Sequence, residues 1–361
     1  MKKLTAILSL TLIVCLLSGC AGSPVVYYND CTCPAGSHVQ TPATEAPITE
    51  APVVAEGAVK TGLAVVTTVG DSVSASAEAE GEAKYDVTIA AVNVDENGVI
   101  TACYLDSIGA SVKFGADGVI TSDAAAAVLT KNELGDSYGM KAYGGAAYEW
   151  YEQAAALASF AVGKTVEELR AGAVNESGKA ADADLASTAT IYLGGYVSAI
   201  EAAVANAQHL GAQAGDTLKV AVLSGLTDSK SADAENAGNA QLNVDVAAIT
   251  MNGDVITSCA IDSVQAKVAF DATGAITSDI TAAVQTKNQL GEAYGMKAWG
   301  GATYEWNEQA ANFAAYVTGK TAAEVAGIAI DEGTKPTDAD LSASVTIAIG
   351  GFQALIAKAA Q

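Results

Sequence analysis

A long internal repeat constrains this chain more than any other feature. A shift of 156 positions carries Cys103–Tyr196 onto Cys259–Phe352 without a gap, and more than half of the aligned pairs are identical. Lys131-Asn132, Tyr138-Gly139-Met140-Lys141-Ala142 and Tyr148-Glu149-Trp150 return as Lys287-Asn288, Tyr294-Gly295-Met296-Lys297-Ala298 and Tyr304-Glu305-Trp306. Just upstream, Asp95-Glu96-Asn97-Gly98 faces the shorter Asn252-Gly253-Asp254, an indel where a hairpin tip tolerates one. A solenoid repeat is far shorter, and a copy of this length can bury a core of its own. The expectation is two tandem homologous domains, residues 61–209 and 210–361, each free-standing.

Each copy opens with strand signals. Leu63–Val69 is apolar and β-branched, and the polar stretch Asp71–Lys84 reads as a loop. Val87–Val94 and Val99–Leu105 flank Asn97-Gly98, and Ser111–Phe114 and Val119–Thr121 flank Asp117-Gly118, both of them hairpin turns. The second half of the copy is helical. Ala146–Val162 spaces Trp150, Leu157 and Phe160 near one face, and Gly163 would stop it. Thr165-Val166-Glu167-Glu168 reads as a capping box for a short helix, and a last helix covers roughly Ser187–Gln208. An antiparallel β-meander followed by helices makes the fold class α+β.

The first residues carry an address. Lys2 and Lys3 precede the apolar run Leu4–Leu17, too short to span a bilayer and placed as a signal peptide over residues 1–19. Leu17-Ser18-Gly19-Cys20 resembles the lipobox of bacterial lipoproteins, which implies lipidation at Cys20. A diacyl anchor would hold the chain stably on the membrane surface. Residues 20–60 then read as a lipidated Cys and a disordered linker, with Pro42, Pro47 and Pro52 among Thr, Glu and Ala. The expected location is extracytoplasmic, tethered to the cell membrane.

Composition narrows the chemistry. The formal net charge is −23, which argues against nucleic acid as a partner. The two His residues, His38 and His209, have no counterparts in the other copy, so a Ser-His-Asp site or a His-ligated metal shared by both copies is excluded. Cys103 and Cys259 occupy equivalent apolar strands and read as small buried hydrophobes. Cys31-Thr32-Cys33 in the tail fits either a strained disulfide or free thiols.

Three features kept in both copies are candidates for binding. Tyr138 and Trp150, with Met140 and Tyr148, pair with Tyr294 and Trp306, with Met296 and Tyr304; such rings either stack on a flat ligand or form the core. Lys131-Asn132 and Lys141, matched by Lys287-Asn288 and Lys297, suit either an anion or surface ion pairs. Asp182-Ala183-Asp184 leads to Thr188 and Thr190, and Asp338-Ala339-Asp340 to Ser344 and Thr346. Hydroxyls just inside a helix start favour an anion, and the same residues also serve as plain caps.

This last stretch resembles the motif Asp-Ala-x-Ser-Gly-Ala-Thr-x-Thr of bacterial FMN-binding domains. The resemblance implies FMN esterified to Thr188 and Ser344, with Asp182, Asp338, Thr190 and Thr346 around the phosphate. Tyr138, Trp150, Tyr294 and Trp306 would lie near the flavin ring. Leu185-Ala186 and Leu341-Ser342 stand where that family carries Ser-Gly. A lipidated Cys, a polar linker and tandem domains also resemble two-domain flavin lipoproteins, which implies electron transfer with redox partners at the cell surface. On that reading the chain is a carrier and not an enzyme. The residues leave a second reading open, a cofactor-free binding or structural surface lipoprotein in which duplication supplies avidity.

Overall fold

The computed structural model describes residues 57–361. Cys20, Cys31, Cys33, His38, the signal and most of the linker lie outside the described residues. Two antiparallel sheets of three strands form the frame, in the orders β1-β2-β3 and β4-β5-β6. The first comprises β1 (Lys60–Thr68), β2 (Gly81–Val94) and β3 (Ile100–Phe114). Helices α1 (Lys131–Leu134), α2 (Trp150–Ala161), α3 (Val166–Ala173), α4 (Ala183–Thr188) and α5 (Gly194–Ala205) follow. The second sheet comprises β4 (Thr217–Gly225), β5 (Gly238–Asn252) and β6 (Val255–Phe270). Then come α6 (Lys287–Leu290), α7 (Met296–Gly300), α8 (Trp306–Val317), α9 (Ala322–Ala326), α10 (Ala339–Ser342) and α11 (Gly350–Ala359). No helix among the described residues is long and apolar enough to cross a membrane.

The period-two alternation of a strand sends neighbouring residues to opposite faces, and here both faces are buried. Along β2, Ala83, Tyr85, Val87, Ile89 and Ala91 pack against the other sheet, while Ala90, Val92 and Val94 meet the helices. Val244, Val246 and Ala248 of β5 enter the same central core, and Ala247, Ile249 and Met251 face their own helices. The layers therefore run helix, sheet, sheet, helix. This burial on both faces explains why the strands carry such continuous apolar runs.

The central core corrects the expectation of free-standing domains: the two halves share it, within one compact unit. Reciprocal ties bind them. The Ala75 amide donates to Gly274 O and the Ala232 amide to Gly118 O, both at 2.8 Å. Ile276 N donates to Ser74 Oγ and Ile120 N to Ser231 Oγ, both at 3.0 Å. Each half exposes one sheet face that its own helices cannot cover, so the hydrophobic effect joins the sheets.

Local signals are kept with shifts: β2 begins at Gly81 inside the predicted loop, and the first long helix begins at Trp150 rather than Ala146. Ser111–Phe114 is no separate strand, because β3 runs unbroken from Ile100 to Phe114 and Val119–Thr121 contributes only a bridge at Ile120. The last helix is split. Asp182 caps α4, the chain leaves helical geometry at Ala189, and α5 starts afresh at Gly194. Gly194-Gly195 thus opens a helix instead of interrupting one.

Candidate functional site

The aromatic group predicted for stacking is divided: the two indoles are buried, while Tyr138 and Tyr148 are exposed and Tyr294 is half-buried. Trp150 and Trp306 are only 2% and 6% exposed. The Trp150 indole donates to Tyr196 Oη at 3.0 Å, with the two rings edge to face at 5.7 Å; Trp306 meets Phe352 at 5.9 Å. Lys131 and Lys287 lie between rings. Their Nζ atoms sit 5.2 Å from both Tyr138 and Trp150, and 5.3 and 4.8 Å from Tyr294 and Trp306. Burial lowers the Lys287 ammonium below its ordinary range, against the opposing pull of Asp245 and Asp262. A lysine bracketed by two rings is held as a cation–π partner rather than offered to an anion.

Glu149 and Glu305, both buried, organise the loop before α2 and α8. Glu149 accepts the Met140 and Lys141 amides at 2.8 and 2.9 Å, and Glu305 accepts those of Met296 and Lys297 at 2.8 and 3.0 Å. Glu152 and Glu308 complete capping boxes by accepting the Glu149 and Glu305 amides at 2.7 Å. Lys141 and Lys297 then pair with Glu152 and Glu308 at 2.9 and 2.8 Å. These lysines are thereby used in surface pairs.

The hydroxyl motif also has a different setting from the expected one. Asp182 caps α4 by accepting the Asp184 and Leu185 amides, and Asp338 does the same for Asp340 and Leu341. Thr188 is the last residue of α4, and Ser344 lies beyond the end of α10. Neither therefore lies just inside a helix start, the position the sequence suggested. Thr190 and Thr346 are tied to buried glutamines. Gln153 Oε1 accepts the amides of Thr190 and Ile191 at 2.8 and 3.0 Å and the Thr190 hydroxyl at 3.2 Å. Gln309 accepts the amides of Thr346 and Ile347 at 2.7 and 3.1 Å, and the Thr346 hydroxyl at 3.2 Å. Sequence reasoning missed Gln153 and Gln309; their only signal was identity between copies in a helix otherwise rich in Ala.

The indoles thus pack into the cores, while Thr188 ends α4 and Ser344 follows α10.

A cavity of about 720 Å3 lies elsewhere, against β6 and α8 of the second half and against β1 and the segment after α5 of the first. Ala260, Asp262, Asn288 and Asn307 line one side; Thr61, Gln208 and His209 line the other. Neither half forms it alone. Thr61 reaches across to Ser258, Oγ1 to Oγ at 2.8 Å. The corresponding place in the first half holds a cavity of only about 230 Å3, lined by Tyr104, Leu105, Asn132 and Tyr151. Under the 156-residue shift, Tyr104 corresponds to Ala260 and Tyr151 to Asn307. Two large rings in one copy are thus replaced by a methyl and a short amide in the other.

The chemistry of this groove centres on a buried carboxyl. Asp262 Oδ1 accepts the Ser263 and Asn288 amides at 2.8 and 3.2 Å. Burial raises its pKa above the ordinary 3.8, with hydrogen bonds from Thr286, Ser263 and Asn288 opposing the rise. Asn307 Oδ1 is buried with no hydrogen-bond partner among the described residues. Cys259 also lines the groove, its thiol pushed up to about 12 by burial, so it is a neutral wall and not a nucleophile. His209 Nε2 faces Glu96 at 3.1 Å. Neither Lys nor Arg lines the cavity.

No family model, curated protein or solved structure matches this chain.

Proposed function

We propose that this chain is a lipid-anchored extracytoplasmic binding protein whose ligand site is the groove between its two halves. The lipobox-like Leu17-Ser18-Gly19-Cys20 supports the anchor. The observation that carries the binding reading is the contrast between equivalent places: Tyr104 and Tyr151 occupy one, while Ala260 and Asn307 leave about 720 Å3 in the other. That volume falls within the range of small-molecule pockets. An apolar floor with a few convergent polar groups is also what such sites use.

The groove contains no nucleophile–base pair, so binding rather than catalysis is the function it suits. Duplication serves it in a specific way. A single copy packs its sheet against nothing, and the second copy provides both the missing core layer and the opposite wall of the groove.

The test is a fragment screen by protein-observed NMR on the full chain purified from membranes, run in parallel with an Ala260→Tyr/Asn307→Tyr double variant. Compounds that shift groove signals in the wild type and lose that effect in the filled variant support the reading. If the screen perturbs only residues remote from Asp262 and Asn307, the groove is not the ligand site. An FMN adduct mapped to Thr188 or Ser344 by intact mass would instead favour the electron-carrier reading.

A further inference from the structure

The first half contains a side chain lodged in the place that the second half leaves open. Tyr104 Oη donates to Asp106 Oδ2 at 3.2 Å and accepts from Asn132 Nδ2 at 3.0 Å. Around that phenol, Asp106 Oδ1 accepts the Ser107 and Asn132 amides at 2.8 and 3.1 Å, and Asn132 Nδ2 also donates to Leu105 O at 2.9 Å. The second half repeats the frame. Asp262 Oδ1 accepts Ser263 and Asn288 amides, and Asn288 Nδ2 donates to Ile261 O at 2.9 Å. The phenol alone is missing, because Ala260 stands at its position.

We propose that the groove binds a small hydroxylated aromatic, its hydroxyl taking the place beside Asp262 and Asn288 that the Tyr104 hydroxyl holds beside Asp106 and Asn132. This deepens the binding reading above and rests on it. A phenol can donate to the carboxyl and accept from the amide with one oxygen, which an amine cannot do once protonated and a carboxylate cannot do at all. Asn307, at the position of Tyr151, adds a buried Oδ1 that accepts nothing among the described residues, so a second donor on the ring has a partner waiting. Charge points the same way. The cavity is lined by a carboxyl and by neither Lys nor Arg, which disfavours an organic anion. Leu63, Ala311, Ala314 and Ala315 offer the apolar surface that a ring requires.

The experiment uses resorcinol, phenol, benzene and benzoate as matched probes, titrated into the labelled full chain while the Asn288 and Asn307 side-chain amides are followed. Resorcinol and phenol should shift both amides saturably, resorcinol binding about fivefold tighter through its second hydroxyl. Benzoate should not bind measurably. Asp262→Asn should weaken phenol about tenfold. The Ala260→Tyr/Asn307→Tyr variant should lose all response. Its melting temperature and one-dimensional spectrum report that it is folded, and single Ala260→Tyr stands in if it is not. Benzene or benzoate binding as tightly as phenol would overturn the hydroxyl assignment while leaving the groove as a ligand site. If no probe moves either amide but unrelated fragments do, the aromatic assignment falls by itself; silence of the groove to every compound removes both readings.

Discussion

Phe114 and Phe270 stack in parallel across the midplane of the protein, their ring centroids 4.1 Å apart and the interplanar angle 0°. They end β3 and β6 at equivalent positions of the two copies, and both are fully buried. Glycine makes room for each ring. A Cβ on Gly81 would lie 2.3 Å from Phe114 Cε2, and one on Gly238 would lie 2.3 Å from Phe270 Cε2. The stack therefore couples the halves through side chains that each copy supplies identically.

Phe114→Ala should destabilise the protein by about 3–5 kcal/mol, since it opens a cavity in a core that cannot collapse without moving both sheets. Thermal unfolding followed by fluorescence at Trp150 and Trp306 should remain one transition. Two separated transitions would mean that the halves fold independently.

The glutamine latches should behave as a structural pair. Gln153→Ala leaves the Thr190 and Ile191 amides without their acceptor, at a cost of about 1–3 kcal/mol. Hydrogen exchange should rise at Thr190 and Ile191 while β2 stays protected. Unchanged exchange there would show that Gln153 does not hold the turn between α4 and α5.

Burial holds the Asp106 and Asp262 carboxyls above 3.8. The folded state thus binds these protons more tightly than the unfolded state. Their stabilising contribution is full below about pH 3.8 and is lost as pH rises through the folded value. Asp262→Asn removes that dependence. Relative to wild type, the variant should gain stability between pH 4 and 7, by at most about 1.4 kcal/mol per pH unit. Denaturant melts across that interval check it, and a difference independent of pH would contradict the assignment. Glu152, Glu308 and Glu324 are shifted the opposite way by hydrogen bonds, chiefly from backbone amides and lysines, so the comparison between variant and wild type isolates the buried carboxyl.

Burial also pushes the thiols of Cys103 and Cys259 up to about 12. Both should resist alkylation at pH 8 in the folded protein and react fully in guanidinium, as peptide mapping would show. Rapid labelling of Cys259 in the native state would mean that the groove opens far enough to ionise it.

Cys20→Ala should abolish incorporation of a labelled fatty acid and release the chain from the membrane fraction. Retention of both label and membrane association would refute lipidation at that residue.

How far these features were legible varies with their range. The Asn97-Gly98 turn and the Thr165 and Thr321 capping boxes were readable because a hairpin or a cap is decided by residues within a few positions of each other. The length of β3 was not, because Gly109 in mid-strand looks like a break locally, yet its pairing with Asp86 keeps the strand extended. The gap between α4 and α5 was hidden for a related reason: the Gln153 latch that fixes it comes from another helix. Among the site residues, Asp182 and Asp338 were recognisable as caps, whereas the place of Trp150 and Trp306 in the core depended on Tyr196 and Phe352 arriving from α5 and α11.

By itself the sequence indicated the internal repeat, antiparallel strands followed by helices, and most of the caps, all of which follow from local pattern and self-comparison. Only the tertiary structure decided that the copies share a core, that Thr188 ends α4 and Ser344 follows α10, and that Ala260 and Asn307 open a groove. Each of those depends on which buried surfaces meet, and an apolar sheet face gives no local sign of which surface will bury it.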